Sequence, residues 1–261
     1  MPRARFIPDV AQMRAALRSQ GSSHDHCIYS LFQCSQNTDS SVVRRSRVFL
    51  KVMPVRTWSR DIFREKLNLL QIERVQGHLE ANLDLEIMQK GAFKTAHPGQ
   101  VSTTEPNKIP ACFSGKICVK QVYSKRIRGS IGRLGGAEEY SKIVKELICL
   151  DWGAILLNLT YQFIEEAVAD YGEPLGGIPD LRFVRAMLAQ ETEREKSYLI
   201  EEWINDTTEF IKYINNGCPV PCVQPDAPEE VHRIAEFLCF AQHVQYNETN
   251  GYVYTSDYQG L

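Results

Sequence analysis

No property of this 261-residue sequence is extreme, and each missing extreme removes a class of protein. Its 30 lysines and arginines nearly balance 32 aspartates and glutamates, so net charge alone names no polyanionic partner. It lacks the low hydrophobicity of a disordered chain and the glycine–proline period of collagen; 43% of its residues are hydrophobic, enough to build a core. No apolar run opens the chain as a secretion signal would. Arg3, Arg5, Arg14 and Arg18 hint at a mitochondrial leader, but Pro8 and Asp9 argue against one. The longest apolar stretch, Leu147 to Ile164, is broken by Asp151, Asn158, Thr160 and Gln162, and reads as a buried helix rather than a membrane span. Eight cysteines lack the setting of a small disulfide scaffold, and several sit in apolar runs where they pack as small hydrophobes. A reduced, cytoplasmic chain without a membrane partner is expected.

Charge is unevenly distributed. Residues 1–60 carry ten basic and three acidic side chains, or +7 (10 − 3), so the remainder carries −9 of the total of −2. A basic arm precedes an acidic body. A solvated leader is preferred over a nucleic-acid or anionic-lipid site, because no RNA- or DNA-binding signature accompanies it.

Periodicity predicts a short amphipathic helix over 9–19, a polar linker over 20–41, and a strand over 47–55 ended by Pro54. Ile62, Leu69, Ile72 and Val75 predict a helix over 61–79. Short strands are expected at 85–88, 92–96 and 116–123, then a glycine-rich loop over 128–136 and one long helix over 137–171. That helix is apolar nearly all round between Leu147 and Leu159, so it should be covered on two sides. Beyond it a strand or turn at 183–187, strands at 198–204, 210–214 and 252–256, a proline-punctuated loop, and a helix over 229–244 are expected. The pattern is α+β with two unequal parts.

Several suggestive groupings fail on spacing. The glycines at 129, 132, 135 and 136 fit neither the dinucleotide nor the Walker pattern. Cys218 and Cys222, with His232 and Cys239, fit no standard zinc finger.

Two features are harder to dismiss. Lys120 shares one face of an apolar strand with Cys118 and Val122. Such an ammonium either blocks aggregation at a sheet edge or aims a charge at a bound phosphate. Asp257 and Gln259 stand at i and i+2, so a carboxylate and an amide oxygen can meet one cation, with Gly260 allowing close backbone approach; a turn closing a strand is the plainer reading.

In order, four passages resemble the atypical α-kinase family, and its fungal members most. Gln89-Lys-Gly-Ala-Phe-Lys-Thr-Ala-His97 is similar to its first glycine hairpin, and Ile117-Cys-Val-Lys120 to its nucleotide-lysine strand. Leu199-Ile-Glu-Glu-Trp-Ile204 with Glu209-Phe-Ile-Lys-Tyr-Ile-Asn-Asn216 resembles its hinge and lysine-tyrosine-asparagine signature. Phe240-Ala-Gln-His-Val-Gln-Tyr246 and Thr255-Ser-Asp-Tyr-Gln-Gly260 resemble its histidine-tyrosine helix end and aspartate-x-glutamine-glycine strand.

The resemblance implies a two-lobed kinase-like α+β domain over 83–261, preceded by a basic extension and linker over 1–80. It implies ATP and Mg²⁺ as cofactors and a protein serine or threonine as acceptor, with nucleic acid not expected. Lys120 would contact the α/β phosphates, Gly91 and Lys94 would cover them, and Glu201 with Glu202 would present hinge backbone to adenine. Asp257 would orient or deprotonate the hydroxyl and Gln259 would ligate magnesium. Glu146 is the expected partner of Lys120, a solvated helix glutamate being the alternative. Family members continue past the glycine of this strand with a second metal carboxylate, a substrate loop and a zinc site. The resemblance therefore implies an incomplete second lobe and weakened catalysis; a kinase-derived nucleotide- or protein-binding module without transfer is the alternative.

Overall fold

The computed structural model describes residues 43–260 except 60, 66, 84–88, 92, 126–130, 175–176, 205–209 and 217. The expected N-terminal helix, linker and 85–88 strand lie outside the described residues. In chain order the elements are β1 (Arg44–Val52), β2 (Val75–Ala81), β3 (Gln89–Lys90), β4 (Lys94–Thr103), β5 (Lys116–Lys125) and β6 (Ile131–Arg133). Then come α1 (Gly136–Tyr171), β7 (Ala186–Glu191), β8 (Ser197–Glu202), β9 (Ile211–Lys212), β10 (Ile214–Asn215), β11 (Cys218–Pro221), α2 (Glu229–Glu248) and β12 (Gln259–Gly260).

The main sheet runs β4-β2-β1-β7-β8-β5, and β5 pairs back onto β4. Six antiparallel strands therefore close into a barrel, with β3 and β6 added at β4 and β5. Facing residues of a ladder share a side, so the register fixes the interior. Val48, Leu50, Leu79, Val119 and Ile200 point inward and are buried. A barrel this narrow is filled by side chains and tolerates bulk poorly. A Cβ on Gly99 would sit 2.6 Å from the Val119 side chain, which is why glycine stands there.

The outer face of β5, β7 and β8 packs on α1 through Val122, Leu188 and Leu199 against Ile143, Leu147 and Leu150. Further along, α1 meets Ile62 and Phe63 through Trp152 and Ile155, and the α2 layer through Leu157. The helix is covered on more than two sides, as its all-round apolarity requires. By length and composition it could also cross a membrane, yet more than half of its apolar window is packed inside. Below it, α2 and the short β9, β10 and β12 strands form the second lobe. The fold is α+β and two-lobed.

The structure corrects four expectations. Residues 61–79 are not one helix: turns at 61–64 lead to β2, whose Val75, Gly77, Leu79 and Ala81 alternate into the barrel. The division near residue 80 falls inside one sheet, because β1 and β2 pair with β7 and β4. Residues 253–258 run without a regular ladder, and pairing begins only at β12. Finally, Cys149 is disulfide-bonded where a reduced chain was expected, while Cys112 and Cys222 keep free thiols.

Candidate active site

Between the barrel and the second lobe lies a cleft of about 290 Å³. Its barrel wall carries Lys94, Lys120 and Glu201; its opposite wall carries Asp257, Gln259 and Gly260. The ladder puts Ala96 opposite Lys120, so Lys94 and Lys120 project from the same outer face of β4 and β5. Lys120 does not block an edge, since β5 runs between β4 and β8.

Both ammonium groups are buried, which is costly unless each finds a carboxylate. Lys120 Nζ is 2.6 Å from Glu201 Oε2, with the two side chains 2% and 4% exposed. Lys94 Nζ is 2.6 Å from Glu146 Oε2 on α1. The structure thus seats Glu146 against Lys94, and the ion-pair partner of Lys120 is Glu201, which the sequence reading had placed at the hinge. The reason is register: Cys118 faces Glu201, so Lys120 reaches it diagonally across neighbouring strands.

Glu202 is turned elsewhere. Its carboxylate accepts from the Arg182 guanidinium and from the Arg185 N–H at 2.7 Å, and its own N–H donates to the Arg185 carbonyl at 3.1 Å. That amide is not open to a nucleobase; Ile204, two residues on, lines the cleft instead. Gly91 is not among the lining residues. Its N–H donates to the Lys94 carbonyl at 2.8 Å and its carbonyl accepts from the Tyr123 hydroxyl, so it braces the strand that carries Lys94.

Asp257 is fully buried and has a positive φ of 60°, the left-handed region that costs a non-glycine residue free energy. Neighbouring contacts hold it there. Gln245, buried on α2, accepts the Thr255 N–H at 2.8 Å and donates to the Tyr258 hydroxyl at 3.2 Å, clamping the chain on both sides of Asp257. Gln242 donates to the Thr255 carbonyl at 2.9 Å. Burial pushes the Tyr258 hydroxyl up to about 12, so it stays protonated at neutral pH. Sequence reasoning missed Gln245 and Gln242; a polar pair on the buried face of a helix was the available signal.

Lys212 Nζ approaches Asp257 Oδ1 at 2.7 Å, yet among the described residues neither carboxylate oxygen accepts a well-aligned hydrogen bond and Gln259 Nε2 has no partner. A Cβ on Gly260 would meet nothing within 4 Å, so the backbone there stands open. The Asp257 carboxylate oxygens, beside an open backbone, fit a hard cation shared with phosphate groups, which Gln259 would meet only through its amide oxygen. Among the described residues, no group of three or more His, Cys, Asp and Glu side chains is placed to hold a metal alone.

No protein-family model matches this chain, and neither does any curated protein. Solved structures do. An alpha kinase from Entamoeba histolytica matches with a TM-score of 0.51 and 14% identity, over 85% of this chain and 74% of that one. The alpha-kinase domain of myosin heavy chain kinase A, solved with ADP, matches with a TM-score of 0.47 and 16% identity, over 85% of this chain and 80% of that one. The fold is that of an α-kinase domain.

Proposed function

We propose that the cleft binds ATP with magnesium and that the chain transfers the γ-phosphoryl group to a serine or threonine hydroxyl of a protein. The observation that carries this reading is the pair of buried ammonium groups, Lys94 and Lys120, facing Asp257 and Gln259 across one cleft. Phosphoryl transfer needs positioning and charge neutralisation more than covalent help, and these groups supply both.

Each residue has a defined task. Lys120, fixed by Glu201, places a point charge against the phosphates nearest the barrel. Lys94, braced by Glu146 and by the Gly91 contact, adds a second. Gln259 and Asp257 would hold magnesium jointly with the nucleotide, and the ion would offset charge on the phosphoryl oxygens. Asp257 orients the acceptor hydroxyl and takes its proton, while Lys212 balances the buried carboxylate. The base packs among Leu181, Phe183 and Ile204.

Nucleotide binding without transfer is the second reading. It is favoured by the complete burial of Asp257, whose carboxylate already faces the Lys212 ammonium at 2.7 Å. Phosphate incorporation into dephosphorylated casein from labelled ATP separates the two. Transfer that disappears in Asp257→Ala, with ATP binding retained, supports the kinase. Binding without transfer by the parent leaves the second reading, and absence of both removes the two together.

A further inference from the structure

A cluster of arginines lies away from the cleft. The described end of the basic N-terminal segment forms a groove of about 420 Å³, lined by Arg44, Arg45, Arg47 and Arg194 with Glu191 and Glu193. We propose that this groove docks an acidic segment of a protein partner, independently of the nucleotide site.

Its charges cancel only in part, because two guanidinium groups remain against the one exposed carboxylate of Glu193. Glu191 is committed inward: it accepts from Arg44 at 3.1 Å, from Ser46 at 3.0 Å and from Tyr198 at 2.7 Å. Arg45 pairs with Glu80 at the surface. The guanidinium groups of Arg47 and Arg194 are exposed and make no ion pair or hydrogen bond with a described residue. Nearby, burial pushes the Lys196 ammonium below its ordinary range, with Arg133 and Arg44 adding to the fall, Glu191 opposing it and Arg194 contributing least. Unpaired guanidinium forks on a surface are matched by carboxylates, which they grip through two parallel hydrogen bonds.

Size and position select the occupant. The two unpaired guanidinium groups stand on different segments, Arg47 on β1 and Arg194 in the turn between β7 and β8, so they suit successive carboxylates along a chain better than one compact ion. β1 is three strands from β5 in a ring of six, so the groove lies across the barrel from Lys120. A partner held there leaves the cleft open.

The test is fluorescence anisotropy with a fluorescein-labelled decapeptide of alternating glutamate and glycine, using the full chain at low and high sodium chloride. Parent affinity should fall steeply with salt, fall at least tenfold in Arg47→Glu/Arg194→Glu, and be unmoved by saturating magnesium–ATP. Both arginines are exposed, so the variant should keep the parent circular dichroism; Arg47→Ala/Arg194→Ala serves if it does not. Equal binding by a folded double variant, displacement by ATP, or no binding by the parent would each overturn the proposal. Complete competition by inorganic phosphate would overturn it too, by reassigning the groove to a compact anion.

Discussion

Lys120 and Glu201 form a buried ion pair of 2.6 Å between neighbouring strands of the barrel, and this pair is the fixed point of the cleft wall. Removing one partner leaves the other charge buried alone, which typically costs about 3–5 kcal/mol. Lys120→Ala should therefore destabilise the chain by that order in urea denaturation. Lys120→Met/Glu201→Leu should recover most of the loss, because a volume-matched apolar pair replaces both charges. If the double variant is no more stable than the single one, the pair is not the source of the cost.

Gln245 holds the strained backbone at Asp257 from α2. Gln245→Ala leaves the buried Thr255 N–H without its partner, a loss of about 1–3 kcal/mol, and takes one of two side-chain contacts from the Tyr258 hydroxyl. Phosphoryl transfer should fall further than ATP affinity, since Lys120 is untouched. Equal losses in both would show a general structural effect instead.

Phe183 lines the cleft, and a Cβ at Gly153 on α1 would lie 2.8 Å from its ring. Gly153→Ala should push Phe183 into the space assigned to the base. Overpacking of this kind costs about 1–3 kcal/mol, and calorimetry should show ATP affinity dropping with it. Unchanged affinity would move the base away from Phe183.

Arg56 makes another largely buried ion pair with Asp151 of α1. Burial raises the Asp151 carboxyl above its ordinary 3.8, with Arg56 opposing the rise. A raised folded-state value gives stability that is present below 3.8 and lost as pH climbs through the raised value. Arg56→Met removes the opposing charge, so the variant should lose more stability than the parent between mild acid and neutral pH. Parallel urea midpoints across that range would contradict this.

Parts of this arrangement were legible in the sequence for physical reasons. Cys118, Lys120 and Val122 alternate, and β5 is a strand; Asp257 and Gln259, read from their i and i+2 spacing as able to meet one cation, both line the cleft. The apolar girth of α1 required cover on several sides, and it has that cover. The failures are tertiary. Ile62, Leu69, Ile72 and Val75 fit a helical spacing, but Val75, Leu79 and Ala81 fit a strand equally well, and only β1 and β4 decide between them. The Lys120–Glu201 pair joins residues 81 apart in sequence (201 − 120) through barrel register, which no local pattern records. Glu146 was matched to the wrong lysine for the same reason.

The central claim is that Lys120 anchors a nucleotide. Titration calorimetry of the full chain with ATP and magnesium tests it most directly, with Lys120→Met/Glu201→Leu as the folded comparison. Micromolar, magnesium-dependent binding by the parent and none by the folded double variant is the predicted result. Parental affinity in that variant, or a folded parent that binds no ATP, would contradict the account.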